Sequence, residues 1–322
     1  MSLLLRTASA AFALATLAFA VAPASATEIG AYRGPGCDGR KAMASFEKLI
    51  GRKVDRTVDS LNWWTNWRET RRSIPWVTKC WSGSGIKLTL SVPMLPSKEP
   101  GATLARGAEG AYDHIFLETA HHLVKNGLED TVVRIGWEFN GDWMPWAAHK
   151  DPENYKRYFR RIVETMRSVP GQRFKFEWCP NVGRHAIDPP DAYPGDDVVD
   201  IIGMDIYSET WDASTRDPEK RWQSFLDRPF GLKWHRDFAR AHGKEMSYPE
   251  WGAGDRTGGG GVGDDPVFIA GMADWFEEVK PLYQSYWDVE ARDYQSQLSN
   301  GRFPKAEAVF RQRFGTPEVQ AE

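Results

Sequence analysis

The chain has 322 residues, 41% hydrophobic and 26% charged. That composition excludes collagen-like, disordered and disulfide-framework proteins and admits one large domain or two smaller ones. Its net charge of −3, from 41 Lys and Arg against 44 Asp and Glu, leaves no basic excess to neutralise phosphates, so no nucleic-acid partner is expected.

The first 26 residues read as an export leader. Arg6 supplies a positive start, the apolar run 10–21 is too short to span a bilayer, and Ala24-Ser25-Ala26 follows the small-x-small cleavage rule. The expectation is a signal peptide at 1–26, a mature domain at 27–322, secretion or a periplasmic location, and no membrane association after cleavage. An oxidising compartment predicts one disulfide among the three cysteines. Cys37 and Cys80 lie in Gly/Ser/Trp-rich loop sequence and are the expected pair, with Cys179 free and buried in a strand-like run.

Strand-like runs fall at 28–32, 53–61, 87–95, 131–139, 174–179, 198–207, 245–251 and 283–287. Between them lie helix-like stretches. One covers 41–50, with Met43, Phe46, Leu49 and Ile50 on one face. The next covers 112–128 and is closed by Asn126-Gly127. Another opens at Asp151-Pro152, with Tyr155, Tyr158, Phe159, Ile162, Val163 and Met166 on its apolar face. The last three cover 218–242, 266–279 and 304–314, and 63–72 reads as a polar-aromatic connection. Eight strands, each followed by a helix or loop, predict an α/β fold, a single (β/α)8 TIM barrel. Continuous apolar runs such as Ile201-Ile202-Gly203-Met204 suit parallel strands covered on both faces. An open doubly wound sheet would need a Gly-rich first turn entering a helix, and Pro35 and Cys37 spoil the only echo of one.

In such a barrel the functional residues stand at the C-terminal strand ends. Strand four runs into Arg134-Ile135-Gly136-Trp137-Glu138-Phe139-Asn140-Gly141, and strand seven into Pro249-Glu250-Trp251-Gly252. Each places one Glu where apolar strand gives way to aromatic loop, and strands four and seven face each other across the mouth. Two opposed carboxylates suit cleavage of a glycosidic bond, one protonated and one ionised. Aromatic walls such as Trp137, Trp143, Trp146 and Trp251 would lower the dielectric and raise the pKa of the acid. With 15 Trp in a near-neutral chain, exposed indole platforms for sugars are expected, and Trp63, Trp64, Trp67, Trp81 and Trp211 are either outer subsites or rim packing. Asn181 is expected in the cleft, with His185 a further candidate. Asp205 reads as a substrate contact or an ion-pair partner of Arg134, and Glu177 as a buried polar partner. Glu245 rivals Glu250 only if the strand register is wrong. His121-His122 reads as a surface pair, and Asp264-Asp265 lacks a full oxygen-ligand loop, so neither metal nor cofactor is expected.

The segments RIGWEFNGDWMPW (134–146), DIIGMDIY (200–207) and PEWG (249–252) resemble, in order and spacing, the strand-four, strand-six and strand-seven motifs of glycoside hydrolase family 26. This family belongs to the clan of (β/α)8 enzymes with catalytic Glu residues ending strands four and seven, and its best-known members are endo-β-1,4-mannanases. The resemblance implies Glu138 as general acid/base, Glu250 as nucleophile, and Tyr207 as a hydrogen-bond donor to the nucleophile. It implies Trp143 or Trp146 as a sugar platform and Trp287 as an aromatic floor. Arg134, Trp137, Asn140, Asn181, Asp205 and Trp251 complete the expected substrate-binding set. Double displacement with retention would place the carboxyl groups ~5–5.5 Å apart. The expected partner is a polysaccharide, β-1,4-mannan by family default, acted on by a monomer. The chain departs from the pattern at Trp137, where mannanases of the family usually carry His. Other β-glycans (glucan, xylan or an exopolysaccharide) therefore remain open, as does a non-catalytic carbohydrate-binding barrel.

Overall fold

Eight parallel strands close on themselves in the computed structural model, which describes residues 26–316. They are β1 (Glu28–Tyr32), β2 (Arg56–Ser60), β3 (Lys87–Val92), β4 (Val132–Ile135), β5 (Lys175–Trp178), β6 (Ile201–Gly203), β7 (Glu245–Ala253) and β8 (Tyr283–Trp287). Closure comes from β8, which pairs with β1 from Glu28↔Tyr283 to Tyr32↔Trp287 and with β7 at Ser247↔Tyr283. Beyond β6 a short segment, Ile206–Ser208, runs parallel to the end of β7 and sets Tyr207 opposite Gly252, two residues past Glu250. The expected leader lies outside the described residues, apart from Ala26.

The barrel interior is built in layers. Val58, Val132, Ile201 and Tyr283 form a small apolar cluster of their own, one residue from each of β2, β4, β6 and β8. Four side chains from alternate strands is the layer geometry of an eight-stranded barrel. Further along the strands, inside the barrel, buried polar side chains follow: Ser91, Arg134, Glu177 and Ser247. The charged layer thus rests on an apolar plug and lies below the mouth.

The helices form the outer ring: α1 (Gly36–Ile50), α2 (Trp67–Trp81), α3 (Leu104–Ala108), α4 (Asp113–Lys125), α5 (Pro152–Arg167), α6 (Pro218–Asp227), α7 (Leu232–Ala241), α8 (Pro266–Val279) and α9 (Pro304–Phe314). Four expectations need correction. The connection expected at 63–72 instead leads into α2, whose start is capped by Asn66 accepting from Glu69 N at 3.1 Å. Its buried face includes Thr70, Ile74, Val77 and Trp81, a 3.6-residue repeat masked in the sequence by Pro75 and flanking charges. Cys37 and Cys80 are bonded to each other, but they lie on α1 and α2 and not in loops. The helix expected at 218–242 is broken at Arg228-Pro229-Phe230-Gly231, because a residue before proline is driven out of helical geometry and Arg228 is extended (φ −60°, ψ 154°). Strand four ends at Ile135, not 139, because Gly136 and Glu138 both take left-handed φ of 51°.

The acidic pair at 264–265 is structural. Asp264 accepts the backbone amides of Lys305 and Ala306 at the start of α9, and Asp265 caps α8 and pairs with Arg221 at 2.6 Å. Among the described residues no cluster of His, Cys, Asp or Glu could hold a metal ion, and no helix is long and apolar enough to cross a membrane.

Candidate active site

Glu138 sits where β4 is forced to turn. A Cβ on Gly136 would lie 2.4 Å from Met94 Sδ, and its left-handed φ of 51° is one that glycine adopts without strain. Two residues on, Glu138 itself takes a left-handed φ, which costs a non-glycine residue of order 1–3 kcal/mol. Its amide donates to Cys179 O at 2.8 Å, which fixes the turn against β5.

The half-buried Glu138 carboxyl has only neutral donors. Trp143 Nε1 donates to Oε2 at 2.8 Å and Asn181 Nδ2 donates to Oε1 at 2.6 Å. Asn181 is held in turn by Asn140, whose Oδ1 accepts from Asn181 N and whose Nδ2 donates to Asn181 O, both at 2.8 Å. His185 Nε2 lies 3.1 Å from Asn181 Oδ1. Burial, with the charge of Glu250 second, pushes the Glu138 carboxyl up to about 7 against the two donors.

Glu250 is held differently. Arg134 Nη1 donates to Oε1 at 2.6 Å and Tyr207 OH donates to Oε2 at 3.0 Å. The fully buried Arg134 also pairs with Asp205, donates to Ser91 Oγ at 3.1 Å, and lies 3.8 Å from Glu177. One cation therefore faces three carboxylates, and burial pushes two of them, Glu177 and Asp205, above the ordinary carboxylate range. Glu177 accepts from Tyr283 OH at 2.5 Å and Ser247 Oγ at 3.1 Å, and burial pushes it up to about 7.

The aromatic residues divide into surface and core. Trp143 is 47% exposed and lies flat over Gly141, where a Cβ would meet its ring at 2.3 Å. Trp287 ends β8 half-buried, stacked on Tyr32 at 4.0 Å and edge-on to Tyr207 at 6.5 Å. Trp64 is 65% exposed and stacked on Trp63 at 3.9 Å, and Trp211 is 70% exposed and rests on Gly260.

Other expected contacts are corrected by burial. Trp146 donates to Trp137 O at 2.7 Å and is fully enclosed, so it supports the loop and offers no sugar platform. Trp251 follows Glu250 on a strand, so it points away from the cleft, into the outer layer. There it donates to Gln284 at 2.6 Å and packs against Phe276 and Phe310. Arg134, Trp137, Asn140 and Asp205 are likewise buried: Arg134 pairs with Asp205, Asn140 holds Asn181, and Trp137 packs on Trp63 and Trp146. Trp81 is buried on Asp59 at 2.6 Å, and Trp67 packs on Tyr112 and Phe116 in the helical layer. Glu245 opens β7 at the far end from Glu250 and pairs with Lys175 at 2.5 Å, so it is no rival. Tyr32 was not anticipated. It ends β1 beside Trp287, close enough to Asp59 and Glu250 for their charges, with burial, to push its hydroxyl upward. The strand-end position of a lone Tyr was the only signal for it.

The segment 117–219, which holds Glu138, Asn181 and Tyr207 but not Glu250, matches the family described as Glycosyl hydrolase family 26. The chain is 30% identical over 209 residues to Endoglucanase H of Acetivibrio thermocellus, covering 62% of this chain and 22% of that protein. It is 30% identical over 159 residues to a mannan endo-1,4-beta-mannosidase of Bifidobacterium adolescentis, covering 47% and 15%. The matches thus span less than a quarter of the length of these relatives. Among solved structures, a Cellulomonas fimi endo-beta-1,4-mannanase superposes with TM-score 0.65 at 16% identity, covering 92% of this chain and 73% of that one. The catalytic domain of a Bacillus sp. JAMB-750 endo-beta-1,4-mannanase gives 0.61 at 15% identity, covering 92% and 88%. At these identities the structural likeness speaks to the fold.

Proposed function

We propose that the chain is a member of glycoside hydrolase family 26 and acts as an exported, retaining endo-β-glycanase. The observation that carries this reading is the unlike treatment of the two strand-end carboxyls. Glu138 has neutral donors and is pushed up to about 7, while Glu250 accepts from a buried guanidinium and a phenol. Pairs of carboxyls whose environments differ in this way divide into acid and nucleophile.

In the first step Glu250 attacks the anomeric carbon while Glu138 gives its proton to the departing glycosidic oxygen. Glu138, now ionised, then takes a proton from the water that hydrolyses the glycosyl-enzyme and returns to its starting state. Arg134 and Tyr207 hold the Glu250 carboxylate in place, and Asn181 and Trp143 hold Glu138. Trp143 offers the exposed face on which a sugar ring stacks.

β-1,4-Mannan is the default substrate. A β-glucan is the second reading, favoured by Trp137 in place of the usual His and by the likeness to a protein named an endoglucanase. Product release from β-mannan, mixed-linkage β-glucan, β-xylan and an acidic exopolysaccharide tests both. Oligosaccharides from one polymer, reduced roughly a thousandfold or more in Glu138→Ala and Glu250→Ala, are expected. Hydrolysis that survives both substitutions, or no hydrolysis of any polymer, would overturn the proposal.

A further inference from the structure

Arg228 occupies a place that neither the fold nor the carboxylate pair explains. It ends α6, at the turn that separates α6 from α7. That turn is tied to the loop carrying Asn181, since Gly183 N donates to Phe230 O at 2.9 Å. Its shape is over-determined. Phe230 takes a left-handed φ of 58°, and a Cβ on Gly231 would lie 2.5 Å from Phe225 O. A bulky aromatic in that conformation is held there by its surroundings.

The Arg228 side chain is itself fixed. Nε donates to Ser224 O at 3.2 Å, and the guanidinium lies over the Phe225 ring at 4.1 Å. Its Nη1 is 3.8 Å from where a Cβ of Gly183 would stand, so the head group reaches the loop that positions Asn181 against Glu138. Among the described residues no carboxylate lies within ion-pair distance of it. Glu209, whose charge it feels, is taken by Arg256 at 2.6 Å, and the neighbouring Arg184 is paired with Asp188 at 3.0 Å. Burial pushes Arg228 down to about 10, against the opposing charge of Glu209. A rigid, partly dehydrated, unpaired guanidinium is a prepared site for a carboxylate, because its planar fork matches that group and little entropy remains to be lost.

We propose that Arg228 binds the carboxylate of an acidic sugar unit, a uronic acid or a carboxylate-bearing substituent, in a β-glycan lying along the rim beside 181–185. This rests on the glycanase reading and deepens it. The substrate would then be an anionic polysaccharide and not a neutral mannan, and Arg228 would set that specificity.

The probe is a glucuronate-containing β-glycan in its native form and after reduction of its carboxyls to alcohols, which leaves backbone and linkages intact. The Glu250→Ala protein is run by affinity electrophoresis in gels of each polymer, with and without Arg228→Met or Arg228→Lys. Binding does not require turnover, so a result is obtained even if the hydrolytic proposal fails. Retardation is expected to be stronger in the native polymer by on the order of tenfold or more in dissociation constant. Arg228→Met should abolish that difference and Arg228→Lys should retain part of it. If Arg228 serves only to cap α6, the Met substitution lowers the melting temperature and leaves the preference unchanged. That result, or equal retardation by both polymers, would overturn the proposal.

Discussion

At the scale of single residues, the proton on Glu138 sets the pH behaviour. The group must be protonated to assist departure, so kcat/KM is expected to fall as pH rises through about 7, where Glu138 loses that proton. Trp143 and Asn181 donate to the ionised form and hold the value down, so Trp143→Phe should shift the alkaline limb of the profile upward. A pH profile of initial rates checks both statements. Stability follows with its own sign. The folded value of Glu138 is above its ordinary 4.5, so the folded state holds the extra proton between about 4.5 and 7. Stability from this group is therefore full below that window and is lost as pH rises through it. Glu138→Gln, neutral throughout, should raise the melting temperature at pH 8 by about 2–4 °C and by less at pH 5, as measured by calorimetry. The two carboxyls were legible in the sequence because each breaks a hydrophobic run at a strand end. Their partners were legible only in part. Tyr207 lies within a recognisable motif and Asn181 just past the end of a strand-like run, whereas the left-handed turn at Glu138 and the placing of Tyr32 depend on tertiary packing.

At the scale of elements, the strands were the more readable part, since apolar runs bounded by Gly and Pro fix their existence if not their ends. The run 283–287 and the helices at 266–279 and 304–314 agree with the structure to the residue. The failures have physical causes. The helix α2 hides its repeat behind Pro75 and a charged opening, and the interruption of 218–242 needed the extended geometry before Pro229 to outweigh a continuous amphipathic pattern. The bond between Cys37 and Cys80 joins α1 to α2 across a separation of 43 residues. On a chain-entropy basis a loop of that length contributes about 4 kcal/mol. Reduction, or Cys37→Ser with Cys80→Ser, should therefore lower the melting temperature by about 5–10 °C without altering KM, because the bond lies in the helical layer and not in the cleft.

At the scale of the whole molecule, the barrel explains why the catalytic pair could be located before the lining. Closure of eight strands places the ends of β4 and β7 across one mouth, so two Glu residues at those ends must face the same space. Which aromatic residues line that space depends instead on side-chain alternation and loop course, and so Trp143 is at the surface while Trp146 and Trp251 are interior. The polar layer beneath the mouth, centred on Arg134, ties β3, β4 and β5 to Glu250 on β7, and Arg134→Lys should lower kcat by about tenfold to a hundredfold with KM little changed. The division of labour between the carboxyls is the central claim, and azide rescue tests it most directly. A small anion that replaces a missing carboxylate attacks from the face that carboxylate occupied. With an aryl β-glycoside of whichever β-glycan is hydrolysed, whose phenolate departs without a proton donor, Glu138→Ala in azide should give the β-glycosyl azide and Glu250→Ala the α-glycosyl azide, read by proton NMR of the products. The opposite anomers, or rescue of neither variant, would contradict the assignment of Glu138 as acid/base and Glu250 as nucleophile.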